Sequence, residues 1–257
     1  MTKRSARSPI ARTSGKEQLQ EKHAASRQKY TEQAVEKLKV FTPTSSQKQL
    51  INTIRANTLT FVDSPAGSGK SSTVLWHFVK EYLMDAGKQI IIVRTPVEFT
   101  DDKIGFLPND LLSKCEPHFA SCRKILEDFM GVGKVAADLE ERLLFKIPNY
   151  MLGCTISNSL VLIDEAQQMS PQILKLLLER IGEGSKVVVC GDSNQLFDAR
   201  GKRNGLADAI ERFFKVEDNF VTPKYDDIGF HEFSVQEIMR SEIVKTVVTA
   251  YTGMSGY

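Results

Sequence analysis

The run Ser64-Pro65-Ala66-Gly67-Ser68-Gly69-Lys70-Ser71-Ser72 has the residue types and spacing of a loop that wraps a polyphosphate. Gly67 and Gly69 let the backbone curl until successive N–H groups converge on phosphate oxygens. A helix starting here adds the partial positive charge of its N-terminus. In that geometry Lys70 reaches the β- and γ-phosphates of a nucleotide, and the Ser71 hydroxyl ligates Mg2+. Pro65, Ala66, Gly67, Ser68, Gly69, Lys70, Ser71 and Ser72 are therefore the candidate nucleotide-binding residues. The usual form of this loop opens with glycine, whereas here Ser64 stands in that place.

Two further runs carry polar groups at the ends of apolar segments. In Ile163-Asp164-Glu165-Ala166-Gln167, two adjacent acids are costly unless they face a metal ion or solvent. Asp164 is a candidate Mg2+ ligand beside Ser71, and Glu165 a candidate base for an attacking water. The alternative is an acidic pair at a helix N-terminus. In Gly191-Asp192-Ser193-Asn194-Gln195, an amide and a carboxylate can orient water and sense a γ-phosphate, although the same residues also make ordinary turns.

The elements that must hold these residues follow from periodicity. Solidly apolar strands are expected at Leu59–Val62, at 89–93, at 160–163 and at 186–190, with a fifth near 231–235. Helices are expected at about 46–55 behind Pro43, from Lys70 to near Gly87, from Ser170 and Pro171 to Gly182, at about 206–214, and near the end of the chain. Residues of about 95–157 form a long insertion, read as mostly helical. Strands apolar on both faces imply a parallel sheet sandwiched by helices, an α/β fold of about five strands. Ligands of such sheets bind at the carboxyl ends of the strands, where all three polar runs fall.

Residues 1–40 carry ten basic and four acidic side chains, so this arm holds +6 and the remainder −4 of the net +2. It is expected to be disordered at first and then helical from about Glu17 to Lys39, with residues 41–257 forming one domain. Lys3, Arg4, Arg7 and Arg12 are candidate contacts to nucleic-acid phosphates, while the acid-free start also resembles a transit peptide. With 41% hydrophobic residues the chain can bury a core without a disulfide framework, so its four cysteines fit a reducing cytoplasm. No stretch approaches a membrane span, and no apolar region of secretory type follows the basic start. Cys115, His118 and Cys122 have zinc-compatible spacing but no matching fourth ligand, so they also read as incidental side chains of a helix.

Taken together, these residues resemble the PhoH-like family of P-loop ATPases, itself similar to the core of superfamily 1 helicases. The resemblance covers about Thr42 to Thr252. It rests on Gln47, Arg94-Thr95-Pro96-Val97-Glu98, Gly105-Phe106-Leu107-Pro108, the two polar runs above and Arg240. It implies a RecA-like fold, ATP as the nucleotide and Mg2+ as its partner ion. It further implies that Gln47 reads the adenine edge, Gln195 senses the γ-phosphate, and Arg240 stabilises transition-state charge across a subunit boundary. Arg94 and Pro96 resemble the strand-contacting segment of helicases, and family members are thought to form rings, often hexamers. Lys70, Glu165, Gln195 and Arg240 are then the candidate catalytic set. Two departures stand out. Leu152-Gly153-Cys154-Thr155 lacks the two arginines the family usually has there, and Ser241 follows Arg240 where the family tends to have histidine.

The leading expectation is an ATP-driven motor or remodeller on single-stranded RNA or DNA, working as a homo-oligomer. A nucleotide-controlled clamp that binds a strand without unwinding it is the second reading. A small-molecule kinase is the third, and Glu165 and Gln195 suit water activation better than a second substrate.

Overall fold

The computed structural model describes residues 29–38, 40–65, 67–95, 111–151, 153, 155–195, 204–217, 220–237 and 242–252. The first element, α1, is the helical stretch 29–38. Helix α2, Ser45–Ala56, starts at a reciprocal cap. Gln47 N–H donates to Thr44 Oγ1, and Thr44 N–H donates to Gln47 Oε1 at 3.0 Å. Strand β1 (Leu59–Asp63) leads through the phosphate loop into α3 (Lys70–Met84), and β2 (Gln89–Arg94) follows. The insertion contributes α4 (Leu111–Met130), α5 (Val132–Asp138) and β3 (Leu143–Lys146). Beyond it lie β4 (Ser159–Asp164), α6 (Pro171–Leu178), β5 (Lys186–Gly191) and α7 (Gly205–Phe213). The chain continues through β6 (Phe214–Glu217), β7 (Phe220–Pro223), β8 (Ile228–Glu232) and α8 (Glu242–Thr252).

The main sheet has six strands in the order β3-β2-β4-β5-β1-β8, every pairing parallel. Successive side chains on a strand point to opposite faces, and the core divides accordingly. Ile90, Ile92, Leu160, Leu162, Val188 and Cys190 pack on one face with Leu50, Val74, Phe78 and Leu126 from α2, α3 and α4. Ile91, Val93, Val161, Ile163, Val187 and Val189 pack on the other with Leu174, Leu177, Leu206 and Ala209 from α6 and α7. Helices therefore cover both faces, as the doubly apolar strands require.

Two expectations are corrected, and one feature is new. The sheet has six strands rather than about five, because β3 lies inside the insertion read as mostly helical. Leu143-Leu144-Phe145-Lys146 is too short for periodicity to tell a buried strand from a helix. The strand expected near 231–235 is Ile228–Glu232, since Gly229 and Phe230 pair with Thr60 and Phe61 of β1. An antiparallel pair, β6 with β7, lies between α7 and β8 and was not anticipated. By contrast Ser170 caps α6 with Pro171 at its first turn, as the sequence indicates.

Candidate functional site

The parallel register lines up the carboxyl ends of the strands. Asp63 pairs with Gly191 and with Glu232, and Arg94 pairs with Asp164. Each polar run therefore emerges on the same edge of the sheet.

The phosphate loop begins at Ser64, whose N–H donates to Gly191 O at 3.0 Å. Ser64 is almost fully buried, and its hydroxyl contacts Ser68 Oγ and donates to Pro65 O at 3.0 Å. The serine in the usual glycine position thus turns its side chain inward and braces the loop. Gly67 and Gly69 both take left-handed backbone conformations, with φ of 93° and 82°, which is why these two positions hold glycine. Lys70 is buried, and its Nζ donates to Ser64 O at 3.3 Å. Among the described residues that carbonyl is its one acceptor, so two ammonium donors remain to meet an anion. The loop, its lysine and the start of α3 thus fit a bound triphosphate.

Ser71 Oγ donates to Asp164 Oδ1 at 3.1 Å, bringing together a hydroxyl from the start of α3 and a carboxylate from the end of β4. Hard oxygen ligands of this kind suit Mg2+, so the pair fits the ion that accompanies a nucleotide. The second oxygen of Asp164 accepts the Cys122 thiol at 3.5 Å. Burial pushes that thiol's pKa well up, and the Asp164 charge adds to the shift, so Cys122 stays protonated and remains a donor.

Glu165 follows with a left-handed backbone at φ 54°, a strained conformation that persists only where its surroundings enforce it. Arg94 Nη2 contacts Glu165 Oε1 at 3.1 Å, and Gln167 Nε2 donates to Oε2 at 2.6 Å. The same Arg94 donates through Nη1 to His118 O at 2.6 Å and Ser121 Oγ at 3.1 Å in α4. Gln195 joins the cluster by accepting from Gln167 Nε2 at 2.7 Å.

The loop 192–195 is itself tied down. Asp63 accepts Ser193 N–H at 2.9 Å and also the Ser193 hydroxyl. Asn204 caps α7 through Oδ1, while its Nδ2 reaches the carbonyls of Asp192, Ser193 and Gln195. Burial raises the pKa of Asp192, opposed by the Asn194 N–H that its carboxylate accepts.

The structure therefore gathers Lys70, Ser71, Asp164, Glu165 and Gln195 at one edge, with Arg94 turned into the same cluster. Gln47 lies apart on α2, buried, its side-chain oxygen capping the helix. Ala66, Pro96, Arg240, Lys3, Arg4, Arg7 and Arg12 lie outside the described residues, as do Leu152 and Cys154. Among the described residues no group of three or more metal-binding side chains assembles. Of the zinc-spaced residues, Cys122 serves Asp164 and the side chain of Cys115 lies outside the described set. No described helix is long and apolar enough to cross a membrane. Sequence reasoning missed Asp63 and Asn204, and it named Gln167 and Cys122 without the contacts they make here. Thr44 and Gln47 do carry the Thr-x-x-Gln signature of a capping box.

A PhoH-like protein of Mycobacterium tuberculosis is 31% identical over 209 residues, covering 81% of this chain and 56% of its own length. A PhoH-like protein of Bacillus subtilis is 30% identical over 209 residues, covering 81% and 62%. Protein PhoH of Escherichia coli is 31% identical over 211 residues, covering 80% and 56%. The chain thus spans roughly three fifths of the length of these curated relatives. Among solved structures, unliganded Pif1 from Bacteroides sp aligns over 82% of this chain and 45% of its own, with a TM-score of 0.33 and 15% identity. The family model described as PhoH-like protein matches residues 39–252, so the chain, with its phosphate loop at the head of a parallel sheet, belongs to the PhoH-like family of P-loop NTPases.

Proposed function

We propose that this chain hydrolyses Mg-ATP at the sheet edge and uses the hydrolysis to move along or remodel a single nucleic-acid strand, as one subunit of a ring. The observation that carries the hydrolase reading is Ser71 paired with Asp164, next to the Glu165 carboxylate and across from Lys70. A kinase needs room for a second substrate, whereas Glu165 and Gln195 are joined through a single amide, an arrangement suited to holding water.

In this reading Lys70 and the loop N–H groups hold the β- and γ-phosphates, and Ser71 and Asp164 hold Mg2+. The ion, when bound, neutralises charge on the phosphate oxygens. Glu165 takes a proton from the attacking water, Gln195 contacts the γ-phosphate, and Gln47 faces the adenine from α2. Arg240 supplies positive charge at the transition state of a neighbouring subunit, an effect typically worth about 10³–10⁵ in rate. Support for a strand comes from the +6 arm and from the likeness of residues 94–108 to a strand-contacting segment. Support for a ring is mechanical, since movement needs two surfaces that shift against each other and one sheet edge supplies one.

A slower, clamp-like protein is the second reading. It is favoured by one observation, that both oxygens of Glu165 are already engaged.

The test is phosphate release from Mg-ATP with and without single-stranded RNA and DNA, beside Glu165→Gln. Release stimulated by a strand and abolished in the variant is expected. ATP binding without release, or release indifferent to both strands, would remove the motor reading and leave the clamp or an enzyme with another target.

A further inference from the structure

Gln167 stands between two side chains with assigned roles and has so far been given none. It is 4% exposed. Its Nε2 donates to Glu165 Oε2 at 2.6 Å and to Gln195 Oε1 at 2.7 Å, and its Oε1 accepts Asp192 N–H at 3.2 Å. A backbone N–H can only donate, so Asp192 settles which end of the amide is oxygen. Both Nε2 hydrogens are then committed, one to the carboxylate and one to the Gln195 amide. The room for this side chain is made at Gly191, where a Cβ would lie 2.6 Å from Gln167 Oε1. Burial strengthens such bonds, and the one to the carboxylate is charge-assisted.

We propose that Gln167 is the positioning residue that couples the γ-phosphate sensor to the water-activating carboxylate. The inference rests on the hydrolase reading above. With its Oε1 taken by Gln167, Gln195 meets the γ-phosphate through its own Nε2. Movement of Gln195 toward that phosphate draws on Gln167 Nε2, and through it on Glu165 Oε2. The orientation of the Glu165 carboxylate thus depends on whether the third phosphate is present, so a triphosphate sets the base and a diphosphate leaves it unset.

Two variants test this. Gln167→Leu removes both donors at similar volume. Gln167→Glu keeps the acceptor for Asp192 but turns an oxygen onto the oxygens of Glu165 and Gln195. For each, Mg-ATP turnover is measured with equilibrium binding of a non-hydrolysable ATP analogue and of ADP. Wild type, Glu165→Gln, Gln195→Ala and the double variant Gln167→Leu/Gln195→Ala run alongside, and retained ADP binding reports an intact fold.

The expected result is a kcat lower by about 10- to 100-fold with KM within about threefold, the signature of a contact that matters mainly in the transition state. The preference for the triphosphate over ADP should fall in both variants, as it does in Gln195→Ala. The double variant should be no worse than the poorer of the two single variants, because the two residues act as one unit. If Glu165→Gln abolishes turnover while the Gln167 variants match wild type, or if the two losses multiply in the double variant, the inference is overturned and the hydrolase reading stands. If wild type binds both nucleotides and releases no phosphate, the hydrolase reading falls. The binding ratio then decides the sensor half of the inference, and a preference unchanged by Gln167→Leu overturns that too.

Discussion

Arg94 Nη2 lies 3.1 Å from Glu165 Oε1, so a residue at the end of β2 holds the carboxylate proposed to activate water. The guanidinium is planar and forked, and it uses that shape to reach His118 O and Ser121 Oγ of α4 as well. A left-handed Glu165 is thereby linked to the insertion through one side chain.

Arg94→Ala should therefore loosen Glu165 and lower kcat by about tenfold or more while KM for ATP stays near wild type. Arg94→Lys should recover part of the loss, since it keeps the charge and loses the fork. Steady-state kinetics without any strand check this. A rise in strand-free turnover would reverse the assignment and make Arg94 a brake on Glu165.

Asp164→Asn tests the ion site. Asparagine retains an acceptor for Ser71 Oγ, so the fold should survive, but it removes the charge opposite Ser71. The Mg2+ concentration needed for half-maximal turnover should rise by about tenfold or more, and maximal turnover should fall. A Mg2+ titration at fixed ATP is the measurement, and an unchanged midpoint would place the ion elsewhere.

Much of the site is legible in the sequence because its signals are local. Gly67, Gly69, Lys70 and Ser71 lie within five residues, and the strand before them and the helix after them have unambiguous periods. Asp164 and Glu165 are marked by their position at the end of an apolar run. What stays hidden depends on contacts distant in sequence. Gln167 stands in a quoted motif, yet its role appears only when Gln195, 28 residues on, is brought against it. Arg94 is read by resemblance as facing a strand, and only the pairing of β2 with β4 shows its guanidinium on Glu165. In the fold, β3 and the β6–β7 pair are four-residue strands, too short to carry a decisive period.

Gly191→Ala probes the same cluster from below. The added methyl would come within 2.6 Å of Gln167 Oε1 and 2.8 Å of Leu206 Cδ2, both in packed surroundings. Here space, not backbone conformation, demands glycine. Overpacking of this kind typically costs about 1–3 kcal/mol. Thermal denaturation should show that loss, and turnover should fall with it because the methyl displaces Gln167. Wild-type stability and turnover together would show that the contact yields without cost.

His231 supplies a prediction in pH. It is buried on β8, with Nε2 3.1 Å from Ser46 Oγ at the start of α2 and its ring packed edge-on against Phe233. Burial holds its pKa below the ordinary 6.5, and Glu237 opposes the shift. Between the folded pKa and 6.5 the unfolded chain binds more protons than the folded one, so stability rises with pH across that interval. Acidification from about pH 7 to about pH 5 should therefore lower the Tm, in part because His231 must charge in place. His231→Gln can keep a hydrogen bond to Ser46 and has nothing to titrate, so its Tm should fall less over the same interval. The difference between the two curves isolates His231 from the other groups that titrate there. Parallel curves would mean that His231 takes up its proton as readily when folded as when unfolded, and that the contact between α2 and β8 does not depend on its neutral form.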